Sequence, residues 1–425
     1  MTSDATAIDP ALIAEVESFQ HRLLIRAGFD PETFAQRSDA DEVTLPIRIA
    51  SRGLRLIFRI TGHRDRAEEI GSFIEYARER SREAPLLRKL TAERTARDPA
   101  PVSRYQRRDD HSFLLEIRSL IRAALDKLPA GDPRRDMIQT IDRTLLATAP
   151  LGRCDAWIRA SADRRSFAIT IDDEIVRLAS QMGFLFAEII GEHRDTMILD
   201  SHRAEELLTK ADGPITQFGK IVRGFIIDGS SLMAIPPARP SRFSRDVMAT
   251  FVQLAAIFIL AHEYSHAHLG HFDDHGQFLR MMEECEDDDE EAARYQKART
   301  DSIEAEADAN ARAVVLCVCR FWNYDPSLMG AAAVSILSVY DAVYRSIAAS
   351  AGFDESRADA IVSRLFNHPS PSERLRRLIN PSAPSDVWAH YVAKGLAQHR
   401  FEVRPDRIHR RWSGLLTALS RVATS

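Results

Sequence analysis

The sequence predicts a mostly α fold with a small β-sheet, an α+β architecture, on three observations. Apolar residues recur at three- and four-residue spacing through most of the chain. One stretch, Phe167-Ala168-Ile169-Thr170-Ile171, alternates instead and is rich in β-branched side chains. A third stretch, around residues 248–261, is apolar on nearly every side of a helix and runs into His262-Glu263-Tyr264-Ser265-His266. A helix of that composition has to be buried by others.

At 425 residues the chain is long enough for two or three domains. Three parts are expected: an all-helical N-terminal region over 1–160, a domain holding the motif over 161–380, and a helical tail over 381–425 packed on that domain. With 28% charged residues and a net charge of −5, the composition argues against a membrane protein and against nucleic-acid binding by bulk charge. The 4 cysteines form no C-x-x-C pair, which fits a reducing compartment. The first ten residues lack a basic stretch leading into an apolar core, so no signal peptide is read. The most apolar runs, 251–261 and 330–340, fall short of the ~20 residues that span a bilayer. The expectation is a cytoplasmic protein with no transmembrane segment. Its oligomeric state is not legible.

In chain order, residues 10–27 read as an amphipathic helix ended by Gly28. From 46 to 108, basic residues outnumber acidic ones about two to one. This segment reads as a surface for nucleic acid or an acidic partner, or as a solvated helical face. The second reading is favoured, because Glu68, Glu69, Glu75, Glu79 and Glu83 share the helix expected over 64–89. Helices follow at 112–127 and 134–149. After the strand at 167–171, Asp172-Asp173 can cap a helix over 174–190. Gly224-Phe225-Ile226-Ile227 and Leu232-Met233-Ala234-Ile235 read as two short strands flanking an Asp-Gly turn. Their edge could hold an extended peptide by strand addition.

The long helix then carries H-E-x-x-H. Two histidines four apart stand one turn above each other, so both imidazoles can reach one tetrahedral Zn²⁺. Glu263 stands beside them, able to deprotonate a metal-bound water. A metzincin pattern would put glycine at Leu269 and histidine at Phe272, and neither is present. The other common third ligand is a glutamate on a following helix. Asp301-Ser302-Ile303-Glu304-Ala305-Glu306-Ala307-Asp308 opens one. Glu304 and Asp308 share a face, and Glu306 points away. Glu304 is the expected ligand and Asp308 an acceptor for the free N–H of a ligand histidine.

H-E-x-x-H-x-x-x-G-H from His262 to His271, E-x-x-x-D from Glu304 to Asp308, and His368-Pro369 with Arg374 occur in this order in one family. The chain resembles the gluzincin metallopeptidases of the CAAX prenyl protease, the heat-shock protease HtpX and the OMA-type protease. The resemblance covers roughly residues 251–378. It implies a zincin-like metallopeptidase domain over 161–380 with one zinc per chain, held by His262, His266 and Glu304. It also implies Glu263 as general base, His368 near the substrate or oxyanion, and Asp308 with Arg374 as supports. His271 matches the family's glycine-histidine pair and is expected to be structural. The implied activity is hydrolysis of peptide bonds in a protein or peptide substrate. Membrane-embedded members have spanning helices not seen here, so a lipidated substrate does not carry over. A weaker resemblance, through the metal helix alone, is to phage-exclusion proteases of the Lit type, which cut a host protein.

Two features stay open at this level. The acidic run 283–291 reads as a solvated loop, or as a lid that docks on the basic N-terminal segment. The alternative to an enzyme is a non-catalytic zincin-fold module for binding or sensing, against which the intact Glu263 argues.

Overall fold

The computed structural model describes residues 10–26, 31–35, 103–105, 108–149, 156–172, 174–190, 212–227, 242–272, 290–322, 326–353, 369–380 and parts of 401–419. It is a mostly helical α+β fold with a three-stranded sheet. Two short helices, α1 (Pro10–Arg26) and α2 (Pro31–Ala35), come first, followed by α3 (Arg108–Asp126). A 3-10 turn at Pro133–Asp136 leads into α4 (Met137–Asp142). The sheet comprises β1 (Thr144–Ala149), β2 (Ala156–Ala160) and β3 (Phe167–Asp172). Then come α5 (Glu174–Ile190), α6 (Asp212–Ile227), α7 (Arg242–His268), α8 (Glu290–Trp322), α9 (Pro326–Ser350) and α10 (Pro371–Leu378).

The sheet order is β1-β3-β2, with β1 parallel and β2 antiparallel to the central β3. Strand alternation divides its side chains between two environments. Leu146, Ile169 and Ile171 enter the main core, while Leu145, Ala147 and Ala168 meet Leu12 and Val16 of α1. On β2, Trp157 meets Phe19 edge-on at 5.8 Å, and Arg159 lies 4.3 Å over the same ring and 2.9 Å from Glu15. One helix therefore covers one face of the sheet, and the main core covers the other.

That core is built around α7. Phe251, Leu254, Ala255, Ile257, Leu260, Ala261 and Tyr264 are all buried, because α3, α4, α5, α8, α9 and β2 pack around the helix. By length and composition Val247–His268 could cross a bilayer, a longer window than the 251–261 run expected. In this fold it is the helix that the others cover. Helix α5 approaches α7 closely at Gly183, where a Cβ would stand 2.8 Å from both Met248 Cα and Phe251 Cβ. Near the C-terminus, Val403, Trp412, Leu415 and Leu419 enter the same core, and Trp412 Nε1 donates to the Phe225 carbonyl at 2.9 Å. Cys317 and Cys319 are buried thiols.

Several expectations are corrected. Residues 134–149 are not one helix: the 3-10 turn, short α4 and β1 replace it. Thr144-Leu145-Leu146-Ala147 is acceptable to a helix, but pairing of Leu146 with Ile169 holds it extended. With β2 also before Ala160, the 1–160 region is not all-helical. Gly224–Ile227 is the last turn of α6, not a strand. Phe218, Ile221, Val222, Phe225 and Ile226 are buried at helical spacing, and that periodicity overrides the β-branched composition. Helix α8 starts at Glu290, before the expected Asp301. The expected helix at 64–89, the basic stretch over 46–102, residues 228–235 and acidic residues 283–289 lie outside the described residues.

Candidate metal centre

His262 and His266 lie on the last turns of α7, with ring centroids 4.7 Å apart and their Nε2 atoms 3.1 Å apart. Glu304 reaches them from α8, with Oε2 3.4 Å from His262 Nε2 and Oε1 3.4 Å from His266 Nε2. His262 and Glu304 are buried and His266 is half-buried, and one ligand atom from each lies within 4.8 Å of the others. Among the described residues this is the group of histidine, cysteine and carboxylate side chains able to hold a metal ion.

The spacings test the fit. Ligand atoms about 2.0–2.1 Å from one tetrahedral ion stand about 3.3 Å from each other. The two Nε2 atoms stand 3.1 Å apart and each lies 3.4 Å from a different oxygen of Glu304, so the carboxylate faces the gap between the rings at close to that spacing. Two imidazole nitrogens and a carboxylate converging in a buried space call for positive charge between them, from a cation or, in its absence, from a proton. The donor set of two imidazoles and one carboxylate fits a divalent ion.

Behind the ligands, His262 Nδ1 lies 2.9 Å from Asp308 Oδ1. Arg374 of α10 donates to both oxygens of Asp308, from Nε at 2.9 Å and from Nη2 at 2.6 Å. Helix α10 is set by its sequence: Ser370 Oγ accepts from Glu373 N, Pro371 opens the first turn, and Leu375 and Leu378 are buried. Arg377 Nη1 also donates to the Asp301 carbonyl at 2.9 Å, tying α10 to the ligand-bearing part of α8.

Burial alone would keep His262 neutral, but Asp308 and Glu304 outweigh it and carry its pKa up to about 10. Burial likewise opposes charge on Asp308, yet Arg374 and then His262 hold its pKa down to about 2. For His266, burial and then the charge on His262 hold the pKa down to about 3. Burial disfavours charge on Arg374 too, and Asp308 more than reverses the effect. Without an ion the cluster therefore carries a proton on His262, in the place a cation would occupy.

Glu263 is buried next to the ligands, close enough for its charge to act on Arg374. His368 lies outside the described residues. His268 faces away, toward the turn at Pro133 and Asp136; burial lowers its pKa.

His271 sits closer to the site than its number implies. Helix α7 ends in a turn with Gly270 at φ 72° and Leu269 N donating to the Ser265 carbonyl at 2.9 Å. The left-handed glycine turns the chain back, and His271 Nδ1 comes 3.0 Å from His266 Nδ1. Its Nε2 lies 3.5 Å from Glu306 Oε2. By helical spacing Glu306 points away from the ligands, and it meets the returning chain there.

Two residues escaped sequence reasoning. Asn310 Nδ2 donates to Ser265 Oγ at 3.0 Å, and Ser265 Oγ donates to the Ala261 carbonyl at 2.6 Å, which pins α8 against α7 beside the ligands. The available signal was Asn310, an uncharged polar residue within the alanine-rich run 305–313. In comparisons with known proteins, no protein-family model, no curated protein and no solved structure matches the chain.

Proposed function

We propose that this chain is a zinc-dependent metalloendopeptidase, a divergent gluzincin that hydrolyses peptide bonds of protein substrates in the cytoplasm. The observation that carries this reading is the convergence of His262, His266 and Glu304 on one point with Glu263 buried beside them. A binding module would have no use for a carboxylate there. Zinc, when bound, supplies a Lewis acid that activates water and polarises the scissile carbonyl.

The remaining chemistry belongs to the chain. Asp308, fixed by Arg374 and 2.9 Å from His262 Nδ1, favours a proton on that nitrogen and so leaves Nε2 free to act as a ligand. Glu263 takes the proton of the attacking water on its carboxylate and passes it to the leaving amine. His368, through the family resemblance, is assigned to the oxyanion side. The expected substrate edge at 224–235 does not carry into this reading, since Gly224–Ile227 close helix α6.

The test is cleavage of an unfolded protein by purified chain carrying about one zinc. Cleavage lost on chelation and restored by zinc is the expected result. A fully loaded protein that cleaves nothing, or whose cleavage survives removal of the metal, contradicts the reading.

A further inference from the structure

The two histidines of the proposed centre are held by different partners, and the difference assigns a role to His271. His262 is backed by the Asp308 carboxylate, whereas the corresponding nitrogen of His266 meets another imidazole, His271, at 3.0 Å. A neutral imidazole carries one proton. For His266 to offer Nε2 to a cation, that proton must sit on Nδ1. His271 must then accept it at its own Nδ1 and carry its proton on Nε2. That is the nitrogen nearest Glu306, at 3.5 Å, an ion-pair distance rather than a hydrogen bond. Ser302 Oγ lies 3.3 Å from the other Glu306 oxygen, on the same helix.

We propose that His271, oriented by the glycine turn before it and by Glu306, is a positioning residue that fixes the ring and tautomer of His266 for metal binding. This rests on the metal-centre reading above. The direction of the chain is His266 Nδ1–H to His271 Nδ1, then His271 Nε2–H toward the Glu306 carboxylate. Two metal ligands are thereby oriented by two independent supports, one buried and one reaching solvent through Glu306, which is 60% exposed.

The experiment measures zinc affinity by competition with a chromophoric chelator, and the visible spectrum of the cobalt(II)-substituted protein. The proteins compared are wild type, His262→Ala, His271→Ala and His271→Asn. Asparagine places a carbonyl oxygen where Nδ1 of histidine stands, so it can still accept from His266. His271→Ala is expected to weaken zinc binding about 10–100-fold and to alter the cobalt spectrum. His271→Asn is expected to restore most of the affinity and the wild-type spectrum. Wild-type affinity and spectrum in His271→Ala, alongside loss in His262→Ala, overturn the role of His271 and leave the metal centre standing. His271→Asn binding zinc normally but His271→Ala failing to fold supports the role. A folded His271→Asn as weak as His271→Ala overturns it. A wild-type chain that binds no zinc overturns this inference and the metal-centre reading together.

Discussion

Arg374 grips Asp308 with two nitrogens, Nε on one carboxylate oxygen and Nη2 on the other, across 66 residues of sequence. The pair joins α10 to α8 and, through the 2.9 Å contact of Asp308 with His262, to the end of α7. Three helices are thus registered by one fork-shaped interaction.

Removing one partner leaves a buried charge uncompensated. Arg374→Ala should cost about 3–5 kcal/mol of stability, and Arg374→Lys should recover only part of it because lysine lacks the fork. Denaturant titration of the metal-free proteins measures this. A loss under about 1 kcal/mol would show that Asp308 finds water instead.

The same carboxylate predicts an acid-sensitive term. Asp308 is held at about 2 against an ordinary 3.8, so its contribution is present above pH 4 and is lost as pH falls toward 2. The size is on the order of 2 kcal/mol. Wild-type protein should lose more stability than Asp308→Asn between pH 4 and 2. Parallel pH profiles for the two would contradict the assignment.

Metal binding should expel a proton. His262 titrates near 10 in the absence of metal, so it is charged at pH 8 and must become neutral to act as a ligand. Calorimetry of zinc binding to the wild-type chain at pH 8 in buffers of different ionisation enthalpy should report about one proton released. Zero release would mean that His262 is already neutral.

Gly183 carries a packing prediction away from the site. A methyl group there would meet Met248 Cα, which is backbone and cannot swing aside. Gly183→Ala should destabilise by about 1–3 kcal/mol, despite alanine's better helix propensity. Thermal melting checks it. A more stable variant would mean that α5 and α7 are farther apart than described.

What the sequence showed of the site was whatever depends on local helical geometry. His262 and His266 share a face by spacing, as do Glu304 and Asp308, and the structure brings both pairs together. The sheet was hidden where pairing is non-local. Leu145, Leu146 and Ala147 suit a helix until β3 lies beside them. The opposite error arose at Phe225-Ile226-Ile227, whose β-branched composition concealed a helical period. His271 was expected to be structural, but its contact with His266 depends on the left-handed turn at Gly270. Helical spacing does not continue through such a turn.

The most direct test of the central claim compares zinc-loaded wild type with Glu263→Gln, matched for metal content, on an unfolded protein substrate. The variant should keep its zinc and lose about 10²–10⁴-fold in cleavage rate, the usual contribution of a general base. Equal cleavage by the two proteins would contradict the account.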